Sequence, residues 1–201
     1  MTVELEQKIA AARDGGEQDL GGLLELYRNY LRLLARVEIG RHLQGKLDAS
    51  DVVQETFLDA HKHFPQFAGR TEAQLVRWLR QILAGKVSNL VRHYAGTQGR
   101  DIRREQGFQV NLDQSSLRLE QALSGSVSSP SQQAVKREQA VLLADALELL
   151  PEDYREVILL RHWESLPFQE IARRLHRTKD SVEKLWLRAL TRLRQIMGDQ
   201  A

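Results

Sequence analysis

Eight cations fall within residues 173–194: Arg173, Arg174, Arg177, Lys179, Lys184, Arg188, Arg192 and Arg194, opposed only by Asp180 and Glu183. Positive charge at that density suits contact with several phosphates, although a solvated basic face is the plainer reading of any such run. A second basic stretch mixes its cations with other groups: Arg77, Arg80, Gln81, Lys86, Asn89, Arg92, His93 and Tyr94 lie on one side of a helical pattern. Rings on which bases stack, beside cations that meet a backbone, fit a single strand of nucleic acid. Asp48, Asp51, Gln54, Glu55 and Asp59 fall three and four residues apart and form an acidic stripe. Carboxylates there favour the helix dipole and solubility, and they equally offer a dock for a basic partner helix; charge alone leaves both open. His61 and His63, near Asp59 and Glu55, suggest a metal site or an acid–base pair. Residues two apart on a helix point away from each other and no convergent ligands accompany them, so no metal, cofactor or catalysis is expected. The chain has no cysteine, which removes thiolate zinc sites, disulfides and a cysteine nucleophile.

The carboxy-terminal cations ride on two helices. Phe168, Ile171, Ala172 and Leu175 repeat at helical spacing and give a short helix one apolar stripe. His176 and Arg177 break the pattern where the chain needs positive φ and glycine is common. Thr178 then caps a second helix whose inward side is Val182, Leu185, Trp186, Ala189, Leu190 and Leu193. So short a turn forces a steep crossing, with Ala172 small where the helices approach and Val182 apolar where they lock. This is the outline of a helix-turn-helix, whose second helix enters the DNA major groove.

Upstream, the spacing predicts a first helix from about Leu20 to Gly40. A second follows Ser50 as cap, buries Val52, Val53, Thr56, Phe57 and Ala60, and stops at Pro65. After a loop at 69–71, Leu75, Trp78, Leu79, Ile82, Leu83, Val87, Leu90 and Val91 set the apolar side of a long helix, where Trp78 reads as packing rather than platform. Residues 106–133 hold seven serines, little charge and Pro130, and read as a linker with a short helix around Leu117 to Leu123. Beyond it, one helix runs from near Ser131 through Val141, Leu142, Ala146, Leu149 and Leu150. Another, Glu152 to Trp163, buries Tyr154, Val157, Ile158 and Leu160. No run alternates as a strand does, so the expected fold is all-α: two small helical domains, 1–105 and 134–201, joined by a flexible linker.

The net charge of +2 hides a segregation. Residues 1–60 carry seven Lys or Arg against eleven Asp or Glu, while residues 70–104 carry eight against two. One acidic and two basic faces imply two kinds of partner. No apolar run approaches the roughly 18 residues of a membrane span, and the amino terminus lacks a signal-peptide core, so the expected location is cytoplasmic.

The order DASDVVQETFLDAHKHFPQF, WLRQILAGKVSNLVRHY, serine-rich linker, then LPEDYREVILLRHWESLPFQEIARRLHRTKDSVEKLWLRALTRLR closely resembles bacterial sigma-70 family proteins of the extracytoplasmic-function (ECF) type. The resemblance covers about residues 20 to 197 and implies sigma region 2, a linker and sigma region 4. It implies that the acidic helix docks on the clamp helices of the RNA polymerase largest subunit through Asp51, Val52, Gln54, Glu55 and Phe57, with Val52 and Phe57 packing behind. The basic helix and its preceding loop would hold the melted minus-ten element, with Arg70, Lys86, Asn89, Arg92 and Tyr94 as contacts. Arg177, Thr178, Lys179, Ser181, Glu183, Lys184 and Arg188 would read the minus-35 duplex. Core polymerase, including its flap, promoter DNA and an anti-sigma factor are the implied partners. The sequence departs from the family pattern at Ala84 and Gly85, where arginine and asparagine are frequent, at Glu183, often lysine, and at Pro167, usually a Ser or Thr cap. A helix-turn-helix regulator that never docks on polymerase is the alternative; the acidic helix argues against it.

Overall fold

The computed structural model describes residues 2–15, 17–42, 48–94, 114 and 130–199, and no strand occurs among them. The chain divides into two compact units, Met1–Glu138 and Gln139–Ala201. The division falls inside one continuous helix, Pro130–Glu148. The short helix expected around Leu117 to Leu123 lies outside the described residues.

The first unit opens with a helix the sequence reading did not anticipate, α1 (Thr2–Gly15), which buries little beyond Ile9 and Ala12. The single helix expected from Leu20 to Gly40 is two, α2 (Glu17–Glu25) and α3 (Arg28–His42), separated at Leu26 and Tyr27. Neither glycine nor proline marks that break, and the apolar spacing runs through it. Leu23, Leu24, Tyr27, Tyr30, Leu31 and Leu34 are all buried, so one pattern serves two axes. The buried Tyr27 hydroxyl donates to Glu72 Oε1 at 3.3 Å, which satisfies a polar group that the core would otherwise strand.

α4 (Ala49–His63) buries the predicted stripe, Val52, Val53, Thr56, Phe57 and Ala60, with Ala49 added. Its cap is Asp48 rather than Ser50: Asp48 Oδ1 accepts from the Ser50 amide at 2.8 Å, and that bond holds the carboxyl below its usual range. Thr56 donates its hydroxyl to the Val52 carbonyl at 2.7 Å, which makes its burial tolerable. A 3-10 turn, Phe64–Gln66, follows at Pro65. α5 (Glu72–Tyr94) packs against α3 and α4 through Leu75, Val76, Leu79, Leu83 and Val87.

In the second unit, α6 (Pro130–Glu148) contributes Ala140, Leu143, Ala144, Ala146 and Leu147, with Leu150 just beyond. Of the expected stripe, Ala146 and Leu150 are buried and Val141 is half-buried, while Leu142 and Leu149 are exposed and Leu143 and Leu147 take the inward places. α7 (Glu152–His162) buries four consecutive residues, Val157 to Leu160, as a helix enclosed on most sides does, while Tyr154 stays half-exposed. α8 (Phe168–Arg174) and α9 (Lys179–Asp199) pack on α7 and on each other through Ile171, Ala172, Val182, Leu185, Ala189, Leu193 and Ile196. Trp186 and Leu190, expected inward, are half-buried.

Candidate nucleic-acid interfaces

The turn between α8 and α9 is a Schellman motif. Arg177 N donates to the Ala172 carbonyl at 2.9 Å and His176 N to the Arg173 carbonyl at 3.3 Å, with His176 at φ 51. The positive φ expected there is present, on a side chain rather than a glycine. Thr178 Oγ1 accepts from the Ser181 amide at 3.2 Å, as expected of the cap. Pro167 begins α8 without a side-chain cap and without interrupting it. Ser165, at φ 56, is a second left-handed residue that the sequence reading missed. Trp186 braces the motif from α9: Phe168 meets its ring edge-on at 5.5 Å, and its Nε1 donates to His162 Nε2 at 3.4 Å. Burial, with the Arg161 charge adding to it, lowers the His162 pKa and favours the neutral ring that accepts this bond.

On the outer face, Arg177, Thr178, Lys179, Lys184 and Arg188 are exposed, and Ser181 and Glu183 are half-exposed. Several cations are engaged within the unit. Arg177 pairs with Asp153, Lys179 with Glu183 at 3.4 Å, and Lys184 with Asp180 at 2.8 Å. Glu183 thus answers a neighbouring lysine on that outer face.

In the first unit, Asp51, Gln54 and Glu55 are exposed on α4, while Val52 and Phe57 lie beneath, at 2% and 8% exposure. The Arg28 guanidinium covers the Phe57 ring at 5.0 Å. Lys86, expected at the strand-binding surface, reaches across from α5 to Asp59 at 2.8 Å and Glu55 at 3.6 Å, and is only 21% exposed. It therefore ties the two candidate surfaces together. Asn89 and Arg92 bond to each other on α5, where Arg92 donates to Asn89 Oδ1. Ala84 is buried and Gly85 half-exposed, so position 84 faces the core here. Tyr94 ends α5, and its side chain lies outside the described residues. His63 Nδ1 bonds to the Asp59 carbonyl at 2.8 Å. Among the described residues no three His, Cys, Asp or Glu side chains converge as a metal site would need.

The loop before α5 holds what sequence reasoning missed. Thr71 and Gln74 form a capping box: Gln74 N donates to Thr71 Oγ1 at 3.4 Å, and Gln74 Oε1 accepts from the Thr71 and Arg70 amides at 3.2 and 2.7 Å. The Thr-x-x-Gln spacing was there to be read. Phe67 stacks on Trp78, centroids 4.8 Å apart, with Phe64 alongside at 5.7 Å from Phe67. A Cβ on Gly69 would lie 2.3 Å from the Phe67 ring, so only glycine fits. Beside this stack opens a cavity of about 330 Å³ lined by residues 67–69 with Gln74, Arg77, Trp78 and Gln81. An aromatic wall, a free cation and amides around a space open to solvent can hold a flat, polar ring.

The Sigma-70 region 2 family model matches residues 26–97, and the Sigma-70, region 4 model matches residues 140–193. The chain belongs to the sigma-70 family. Each match falls within one of the two compact units; the first covers α3 to α5, and the second runs from within α6 to within α9. The ECF RNA polymerase sigma-E factor of Haemophilus influenzae is 27% identical over 169 residues, 82% of this chain and 79% of that one. The factors of the same name from Escherichia coli (strain K12) and Salmonella typhimurium (strain LT2) are each 30% identical over 129 residues, 62% of this chain and 61% of theirs. A solved flagellar complex, Sigma-28/FlgM, aligns over 90% of this chain and 96% of that chain at 19% identity, with a TM-score of 0.33 too low to bear on the geometry. This sigma factor of ECF type is a transcription initiation factor. No described helix of it is long and apolar enough to cross a membrane.

Proposed function

We propose that the protein acts in the cytoplasm without catalytic chemistry of its own, guiding core RNA polymerase to promoters and holding them open. Asp51, Gln54 and Glu55 present α4 to the clamp helices of the largest subunit, with Val52 and Phe57 fixing the helix from beneath. Arg70, Asn89 and Arg92 line the approach of the minus-ten strand along α5, and the cavity beside Trp78 receives a base turned out of the stack. Extrusion costs a few kcal/mol, so capture of that base couples opening to sequence. Arg177, Thr178, Lys179, Ser181, Lys184 and Arg188 meet the minus-35 duplex, while the flap engages the carboxy-terminal unit. An anti-sigma partner would compete for these same faces. The observation that carries the reading is the cavity: a stand-alone duplex reader has no use for an aromatic-walled site beside a basic helix.

The deciding experiment concerns Asp51, which is exposed and makes no ion pair with Lys86. Asp51→Lys places like charge against a basic dock and should weaken core binding at least tenfold, about 1.4 kcal/mol or more, beyond the roughly 0.3–1 kcal/mol of fold stability that reversing this first-turn charge removes. Undiminished pull-down of core polymerase by this variant would refute the docking assignment.

A further inference from the structure

The cavity beside the Phe67–Trp78 stack is shaped in part by a residue outside either family match, Arg13 on α1. Its Nη2 donates to the Gly69 carbonyl at 2.7 Å and the Phe67 carbonyl at 3.2 Å, over 56 and 54 residues of sequence. One guanidinium thus holds both ends of the three-residue segment that forms the rim. That segment has little slack elsewhere, because Gly69 already abuts the Phe67 ring and Gln74 holds the two amides that follow.

The consequence is chemical as well as mechanical. Three acceptors at the rim, the Phe67 and Gly69 carbonyls and Gln74 Oε1, already accept from the protein's own donors. With Oε1 fixed by two amides, the amide group that Gln74 has left is its Nε2 donor. Arg77 adds a guanidinium that can only donate. Against these stand the Ala68 carbonyl and Gln81, which can turn either group inward.

We propose that Arg13 is a positioning residue for this cavity, and that the donor bias it creates selects thymine, which carries two carbonyls and no exocyclic amine, over adenine, which carries an amine and no carbonyl. The inference rests on reading α5 and its loop as the minus-ten surface. A base turned out of the stack offers its Watson–Crick edge, where thymine O2 and O4 can accept from the N–H groups of Gln74 and Arg77, while guanine and cytosine each carry one carbonyl and one amine and fall between. The adenine amine would face donors and leave both sides unsatisfied.

The test uses the full chain bound to core polymerase and a panel of forked DNA probes in which each minus-ten position in turn carries each of the four bases. At one position the unaltered protein should bind thymine about tenfold more tightly than adenine. Arg13→Ala should cut that ratio to about twofold while core affinity stays unchanged, and Arg13→Lys should restore part of it. Gln74→Glu keeps both accepted amide bonds, so the helix cap survives, but replaces the remaining donor with an acceptor; it should move the preference toward adenine. A preference of the unaltered protein for adenine over thymine, or a base profile unmoved by both Arg13→Ala and Gln74→Glu, overturns the inference. Core-bound protein that holds no probe at all overturns the minus-ten reading itself, and the inference with it.

Discussion

His176→Gly should stabilise the carboxy-terminal unit. His176 sits at φ 51, where a Cβ crowds the following carbonyl at a cost of about 1–2 kcal/mol. Its backbone still makes the Schellman bond to Arg173, and Arg177 the bond to Ala172, so the turn is required and the strain is borne. Glycine removes the strain but adds about 0.4–1 kcal/mol of unfolded-state entropy, which leaves a net gain of roughly 0.5–1 kcal/mol. For a unit of this size that corresponds to about 2–8 °C in melting temperature. The side chain is exposed and makes no bond among the described residues. His176→Ala is the control, since it keeps the Cβ and should give no gain. Scanning calorimetry of the two variants beside the parent separates the terms, because both delete the imidazole and only one deletes the Cβ. Equal melting temperatures for the alanine and glycine variants would refute the argument from backbone strain.

Gly85 lies mid-helix, and a Cβ there would meet nothing within 4 Å, so Gly85→Ala should gain about 0.5–1 kcal/mol in urea unfolding. A loss would mean that position 85 is not open. Burial raises the Glu72 pKa above 4.5, with the Arg137 charge and the Tyr27 hydroxyl opposing the shift. The folded state therefore prefers the protonated acid, a preference fully present below pH 4.5 and lost as pH rises through the folded value. Glu72→Gln, which can still accept from Tyr27, should remove that downward slope above pH 4.5, and parallel stability–pH curves for the two proteins would contradict it. Arg188 is exposed on α9 and makes no ion pair among the described residues, so Arg188→Ala should lower the salt slope of duplex binding by about one. An unchanged slope would place Arg188 away from phosphate.

The helix-turn-helix was legible almost to the residue because its determinants are local: the stripe at Phe168, Ile171 and Ala172, the Thr178 cap, and the break at His176 all act within a few positions. The buried face of α4 was legible for the same reason. What escaped was set by distance. Nothing within Leu20 to Gly40 marks a break at Tyr27, because the hydroxyl that fixes this residue finds its partner 45 positions later at Glu72. α1 escaped because it buries only a narrow strip, and its contribution is a single guanidinium across 56 residues. The outward turn of Leu142 and Leu149 escaped because residues adjacent to an apolar stripe share its hydrophobicity.

Charge shows the same division between what a list of residues tells and what geometry adds. Counted in sequence, the cations of α9 and α5 look equally available for nucleic acid. In the structure Lys179 and Lys184 pair with carboxylates one turn away, at 62% and 64% side-chain exposure. Such exposed pairs contribute about 0.3–0.5 kcal/mol, little enough for a phosphate to displace the carboxylate. Lys86 is different, since it meets two carboxylates from another helix and is only 21% exposed. Moving it onto a DNA strand would leave Glu55 and Asp59 facing each other without their shared cation. Lys86 therefore holds α4 against α5, and it is less free to leave its carboxylates for a phosphate than Lys179 or Lys184.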